Sequence, residues 1–341
     1  MVKKIVLFFI LIMSVILLIK LYSSAGKTIY IVPFHGSEND SVFCDPCNPK
    51  NDGHPYCELF RKFIECGYKV KATATLKNLP DVAYIICFNM PTSFGDMMQD
   101  LDNYPKDKCW VILWEPPVVK PHDYNQNNCA KFGKVFTVFD DMVDNTHFYK
   151  LHYPQTSLAI VDPVIDFDKK KFCTATIANK HSNHSSELYS ARKKTLDFFE
   201  KLDSNDFEFY GTGWQGSNYK NYRGIAPSKT DCLKNYKFCI CYENMGNQQG
   251  YITEKIFEVM IAGCVPIYYG ATNIGDYVPK DCFIAREQFE NEEALHAYLK
   301  NIDKDTYNAY IDRIKAFLVS EQIYPFSTKG FIDTFMQALN K

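Results

Sequence analysis

The sequence predicts an α/β protein built from two doubly wound domains that face a cleft. Three observations carry this expectation. Short continuous apolar runs, such as Val82–Phe88 and Lys108–Trp114, have the length of strands buried on both faces. Helical stretches separate these runs, as a parallel sheet requires. The alternation also occurs twice within 341 residues, on either side of a Pro-bearing, aperiodic stretch at 149–168.

In chain order, 23–28 reads as a short polar stem and 29–160 as the first domain. Thr28–Phe34 is β-like, Glu58–Gly67 is a helix stopped by glycine, and Val82–Phe88, Lys108–Trp114 and Lys134–Val138 are strands. The second domain, 161–341, begins with a strand at Phe172–Ala178 and a helix at Ser186–Leu202. Phe207–Tyr210 is a strand ending in Gly211-Thr-Gly, and Tyr236–Tyr242 is another. A helix at Thr253–Ala262 is closed by Gly263, and strands follow at Val265–Tyr269 and Cys282–Ala285. Helical stretches at 290–300, 303–319 and Phe331–Asn340 complete the chain.

Composition excludes several classes. Apolar residues at 46% and charged residues at 23% are ordinary for a globular α/β chain. A formal charge of −2 supplies no basic field for nucleic acid. No repeat of fixed period and no low-complexity tract is present, which argues against a solenoid or a disordered scaffold.

At the N-terminus, Lys3 and Lys4 precede the apolar run Ile5–Ile19, broken only by Ser14, and Lys20 follows. Lys20 can snorkel, so 1–22 reads as a single-pass signal-anchor. Ser23-Ser24-Ala25 leaves a cleaved signal peptide as the alternative. Either way, 27–341 would lie beyond the membrane. Of the thirteen cysteines, Cys44, Cys47 and Cys57 cluster. With no second C-x-x-C and only His54 nearby, a local disulfide loop is expected rather than zinc. Cys87, Cys239, Cys241 and Cys264 fall in apolar runs and read as buried thiols. Sequons stand at Asn39-Asp-Ser and Asn183-His-Ser.

The chemistry gathers in Tyr236-Lys-Phe-Cys-Ile-Cys-Tyr-Glu-Asn-Met-Gly-Asn-Gln-Gln-Gly-Tyr-Ile-Thr-Glu-Lys. A buried strand ends at Glu243-Asn244, a glycine-bearing loop follows, and a helix opens near Thr253. Free N–H groups and the helix dipole at such a place suit a diphosphate. Glu254 alone would be an ordinary dipole-satisfying carboxylate. Lys255 opposes the dipole, so a bound anion is its expected partner. Taken alone, Arg192 reads as a surface residue beside Lys193 and Lys194.

This stretch resembles the signature of the α-1,3/1,4-fucosyltransferases, in Tyr236-Lys-Phe, Tyr242-Glu-Asn and Gly250-Tyr-Ile-Thr-Glu-Lys. Ala262-Gly-Cys-Val-Pro-Ile-Tyr-Tyr-Gly-Ala, Asp276-Tyr-Val-Pro-Lys-Asp-Cys-Phe-Ile, and the run from Ile177-Ala-Asn through Arg192 to Phe209-Tyr-Gly are similar to further blocks of that family. The resemblance covers about 172–290; the first half matches loosely. Met245 stands where the family has Ser, Tyr242 where it usually has Phe, and Pro116 where it has Ser.

The resemblance implies a GT-B-like fold and an inverting transfer of L-fucose from GDP-fucose to a glycan hydroxyl, α-1,3 to N-acetylglucosamine. It makes 29–160 the acceptor-side domain and 161–341 the donor-binding domain. Arg192 and Lys255 would hold the diphosphate, Glu254 would contact the donor sugar, and Tyr251, Asn244 and Asn179 would be further donor contacts. The base would be Glu115, just past the buried strand Trp110-Val-Ile-Leu-Trp and followed by two prolines. No metal site is expected, Asp140-Asp141 lacking partners, and a divalent cation would at most stimulate. The expected location is type II in the membrane with the domain in the Golgi lumen; a bacterial inner-membrane enzyme is the alternative. Another nucleotide sugar on the same fold, or an inactive glycan-binding paralogue, remains open.

Overall fold

The structure, a computed structural model, describes residues 27–45, 47–202 and 207–340. The expected anchor at 1–22 and residues 23–26 of the expected stem lie outside the described residues. Among those described, no helix is long and apolar enough to cross a membrane. Thr28, where the expected stem and the expected β-like run overlap, opens the first strand.

The first half contributes β1 (Thr28–Val32), α1 (Pro55–Glu65), β2 (Lys69–Ala72), β3 (Val82–Cys87), β4 (Cys109–Leu113), β5 (Lys134–Thr137) and β6 (Phe148–Lys150). All pair in parallel in the order β2-β1-β3-β4-β5-β6. The central β4 is buried at every position, which is why its sequence is a continuous apolar run. Edge strand β2, by contrast, keeps Lys69 and Lys71 in solvent, a usual protection of an open edge. Two clusters cover the faces, one around Phe60, Trp110 and Phe136 and the other around Val111, Phe132 and Val135.

The second half contributes β7 (Lys171–Thr176), α2 (Tyr189–Phe199), β8 (Phe207–Tyr210), α3 (Lys229–Leu233), β9 (Tyr236–Tyr242), α4 (Glu254–Ile261), β10 (Val265–Tyr269) and β11 (Ile284–Ala285). Helices α5 (Glu292–Lys300), α6 (Lys304–Leu318) and α7 (Thr328–Leu339) follow. Its sheet runs β11-β10-β9-β7-β8, again parallel. The strand order reverses between β7 and β9, and ligands in such sheets bind outside the carboxyl ends of the strands at that point.

Helix α7 does not stay with the half that precedes it. Phe331, Phe335 and Ala338 enter the core of the first sheet, where Phe335 stacks on Phe136 at 4.5 Å between ring centres. Lys134 Nζ donates to the Ala338 carbonyl at 2.6 Å. A simple division at residue 160 therefore leaves out a returning helix. The expected disulfide loop is absent as well: all thirteen cysteines lie among the described residues and are free thiols. Cys57 is buried with its Sγ toward the Val42 carbonyl, while Cys44 and Cys47 are exposed.

Candidate active site

A cavity of about 270 Å³ opens at the carboxyl ends of β7 and β9, where the strand order reverses. That is near the lower end of the ~300–1,000 Å³ usual for small-molecule sites. Glu115, Arg192, Asn244, Glu254 and Lys255 all line it. Five of the seven residues expected from sequence thus meet in one place.

The second sheet's contribution is organised by a residue absent from that expectation. Glu243 directly follows β9 with no solvent exposure, and its carboxylate accepts from the Thr253 backbone N–H (2.8 Å), the Thr253 hydroxyl (2.8 Å) and Lys255 Nζ (3.0 Å). Thr253 also caps α4. A carboxylate removed from water is tolerable only when so fully partnered. Lys255 therefore has a counter-ion of the protein's own, and the dipole mismatch noted in the sequence is answered internally by Glu243. Burial works against the Lys255 ammonium, but Glu243 and Glu254 outweigh it and raise its pKa. Its side chain keeps 26% exposure toward the cavity.

Arg192 is no surface residue. It is 5% exposed on α2, donates to the Tyr242 carbonyl at 2.7 Å and Asn244 Oδ1 at 2.9 Å, and lies over the Tyr189 ring. Its Nε is buried without a hydrogen-bond partner. Lys193 and Lys194 are the solvated ones, paired with Asp197 and Glu292. Burial pushes the Glu254 carboxyl up, yet Lys255 and the helix N-terminus more than compensate, and its pKa is lowered. The site thus sets a buried and a half-buried cation, Arg192 and Lys255, against a buried and a half-buried carboxylate, Glu243 and Glu254.

Glu115 follows β4 and is half-buried, with its backbone carbonyl accepting from Tyr124 OH at 2.9 Å. Among the described lining residues it alone comes from the first sheet. Tyr251 does not line the cavity. Its ring is 1% exposed and stacks on Phe139 in a cluster with Val118, Val138, Tyr189 and Met245 that joins the two halves. Met245, in the family's Ser position, is thereby a packing residue. Asn179 is exposed in a smaller adjoining cavity that shares Arg192, and donates to the Gly213 carbonyl at 3.0 Å. No cluster suited to a metal ion occurs among the described residues.

Residues 167–329 match the family model described as glycosyltransferase family 10 (fucosyltransferase) C-term. The chain is 31% identical over 156 residues to 4-galactosyl-N-acetylglucosaminide 3-alpha-L-fucosyltransferase 9 of Mus musculus, covering 45% of this chain and 39% of that one. It is 38% identical over 80 residues to alpha-(1,4)-fucosyltransferase of Arabidopsis thaliana, covering 23% of this chain and 20% of that one. The aligned part spans about two fifths of the first relative's length. Among solved structures, an alpha1,3-fucosyltransferase superposes with a TM-score of 0.61 at 16% identity over 94% of this chain and 92% of the other. The GDP-fucose complex of an alpha1,3-fucosyltransferase gives 0.58 at 14% identity, over 94% and 96%. At these identities the superpositions establish the fold, which is GT-B-like. Through residues 167–329 the chain is thus similar to the C-terminal domain of glycosyltransferase family 10, the fucosyltransferases.

Proposed function

We propose that the chain transfers L-fucose from GDP-fucose to a glycan hydroxyl with inversion, α-1,3 to N-acetylglucosamine. The observation that carries this is the placement of Glu115, from the first sheet, on the same cavity as the Arg192–Glu243–Lys255 cluster of the second. Arg192 and Lys255 would hold the diphosphate, Arg192 offering its orphaned Nε–H. Glu254 and Asn244 would contact the donor, and Asn179 would reach it from the side cavity. Tyr251 would act from behind, as packing under the loop.

In the reaction, the acceptor hydroxyl oxygen attacks the anomeric carbon as the bond from that carbon to the β-phosphate oxygen breaks. Glu115 takes the acceptor proton, and GDP leaves with the bonding pair. The two cations stabilise the charge developing on the diphosphate, the electrostatic task a metal performs in other transferases. A mass-spectrometric donor screen tests the assignment. Transfer from GDP-fucose alone is expected; transfer from another nucleotide sugar, or from none, overturns it.

For residues 1–22 we propose a type II signal-anchor with the catalytic half in the Golgi lumen. Support comes from the apolar run and its flanking lysines, since the free thiols remove the disulfide argument. Digestion of the catalytic domain by protease in sealed microsomes would contradict it.

A further inference from the structure

A second polar cluster joins the two sheets, away from the cavity wall. Asp140 stands three residues past β5, and its carboxylate accepts from Asn273 Nδ2 at 2.8 Å and Tyr277 OH at 2.8 Å. Lys150, at the end of β6, pairs with it at 2.6 Å, both side chains about four-fifths buried. Asp140 and Lys150 belong to the first half, Asn273 and Tyr277 to the second.

The cluster also grips the loop that leads into α4. Asp140 N–H donates to the Gln249 carbonyl at 3.1 Å, Lys150 Nζ to the Gly250 carbonyl at 3.3 Å, and Gly250 N–H to Asn273 Oδ1 at 2.8 Å. Gly250 has φ +78°, and a Cβ there would lie 2.3 Å from Asp140 Oδ1 and 2.4 Å from Lys150 Nζ. No side chain fits. Three residues beyond this grip, Thr253 opens the turn that carries Glu254 and Lys255.

On the other side, β5 is the hydrogen-bonded neighbour of β4, with Thr137 paired to Leu113. Asp140 and Glu115 therefore leave adjacent parallel strands at the same, carboxyl end of the sheet. A covalent and hydrogen-bonded path from the proposed base to the donor-side loop runs through this cluster; another crosses from Val118 to Ser182 and from Ser186 to Gly246.

We infer that Asp140, with Lys150, Tyr277 and Asn273, is a positioning device that sets the distance between the Glu115 carboxylate and the donor held by the second sheet. This rests on the transfer reaction proposed above. The donor-side cations are oriented independently of it, Lys255 by Glu243 and Arg192 by Asn244 and the Tyr242 carbonyl, all within the second sheet. Loss of the device should consequently spare donor binding and reduce turnover. Misplacement of reacting groups by about 1 Å can cost about a hundredfold in rate.

The test compares wild type with Asp140→Asn and the milder Tyr277→Phe, which removes one hydroxyl and keeps the ring. Transfer kinetics would be read beside GDP affinity by calorimetry. Expected are a fall in kcat of about tenfold or more for Asp140→Asn and several-fold for Tyr277→Phe, with GDP affinity held within about twofold. If Asp140→Asn does not fold, Tyr277→Phe decides. Wild-type kcat in the variants, or GDP affinity falling in step with kcat, overturns the inference while leaving the transfer reaction standing. A wild type that binds GDP yet moves no fucose overturns the transfer reaction, and the inference with it.

Discussion

The two sheets share one cavity unequally. The second lines it with a network of mutually neutralising charges, whereas among the described residues the first adds a single half-buried carboxylate, Glu115. The second sheet's charges hold one another in place, so their removal should disturb both structure and binding. Glu115 hangs at the end of a strand with its carboxylate outside that network, so its loss should disturb chemistry alone. The proposed function thus assigns binding and reaction to different halves of the molecule.

The contrast can be broken most directly at Glu115. Glu115→Gln keeps the shape and removes the proposed base, so transfer should fall about 10²–10⁴-fold with GDP affinity unchanged. Single-turnover kinetics beside calorimetry checks this, and retention of more than a tenth of wild-type kcat would return the base role to another group. On the second sheet, Lys255→Ala should cost about 3 kcal/mol of stability, because Glu243 is left buried with its charge unmatched, and should weaken GDP binding as well. The double variant Glu243→Gln with Lys255→Met separates the two effects. Chemical denaturation should show most of the stability restored while GDP affinity stays low, since both partners are now neutral. The smallest effect is expected at Asn179, outside both networks. Asn179→Ala should cost about 0.5–1.5 kcal/mol of donor affinity, one neutral hydrogen bond, with kcat unchanged.

Much of the second sheet was legible in the sequence. Tyr236–Tyr242 and Val265–Tyr269 match their strands end for end, because strands buried on both faces announce themselves as apolar runs, and Phe207–Tyr210 matches as an edge strand through its alternating Phe residues. The strands that went unread, Lys69–Ala72 and Phe148–Lys150, are sheet edges where lysines replace that signal. Lys229–Leu233 is too short to display a helical period. At the site, Arg192 needed the family resemblance, since its neighbours are two solvated lysines. Glu243 was read as a strand end; only the pairing of β9 with β10 and the turn at Thr253 reveal that it is sealed from water. Tyr251 is a donor contact only by the resemblance, and nothing in its neighbourhood announces Phe139, more than a hundred positions earlier, as its stacking partner.

Helix α7 gives the molecule a history as well as a shape. The ribosome delivers the six strands of the first sheet early, but the ring of Phe335 that covers Phe136 arrives near the end of the chain. Until then Trp114 and Phe136 lack their Phe331 and Phe335 neighbours, so an aromatic face stays uncovered throughout synthesis of the second half. The first half cannot mature ahead of the second, as N-terminal domains commonly do. A nascent chain halted before residue 328 would present a sticky, incomplete surface to chaperones, and cutting the protein near residue 160 would not yield two self-sufficient pieces.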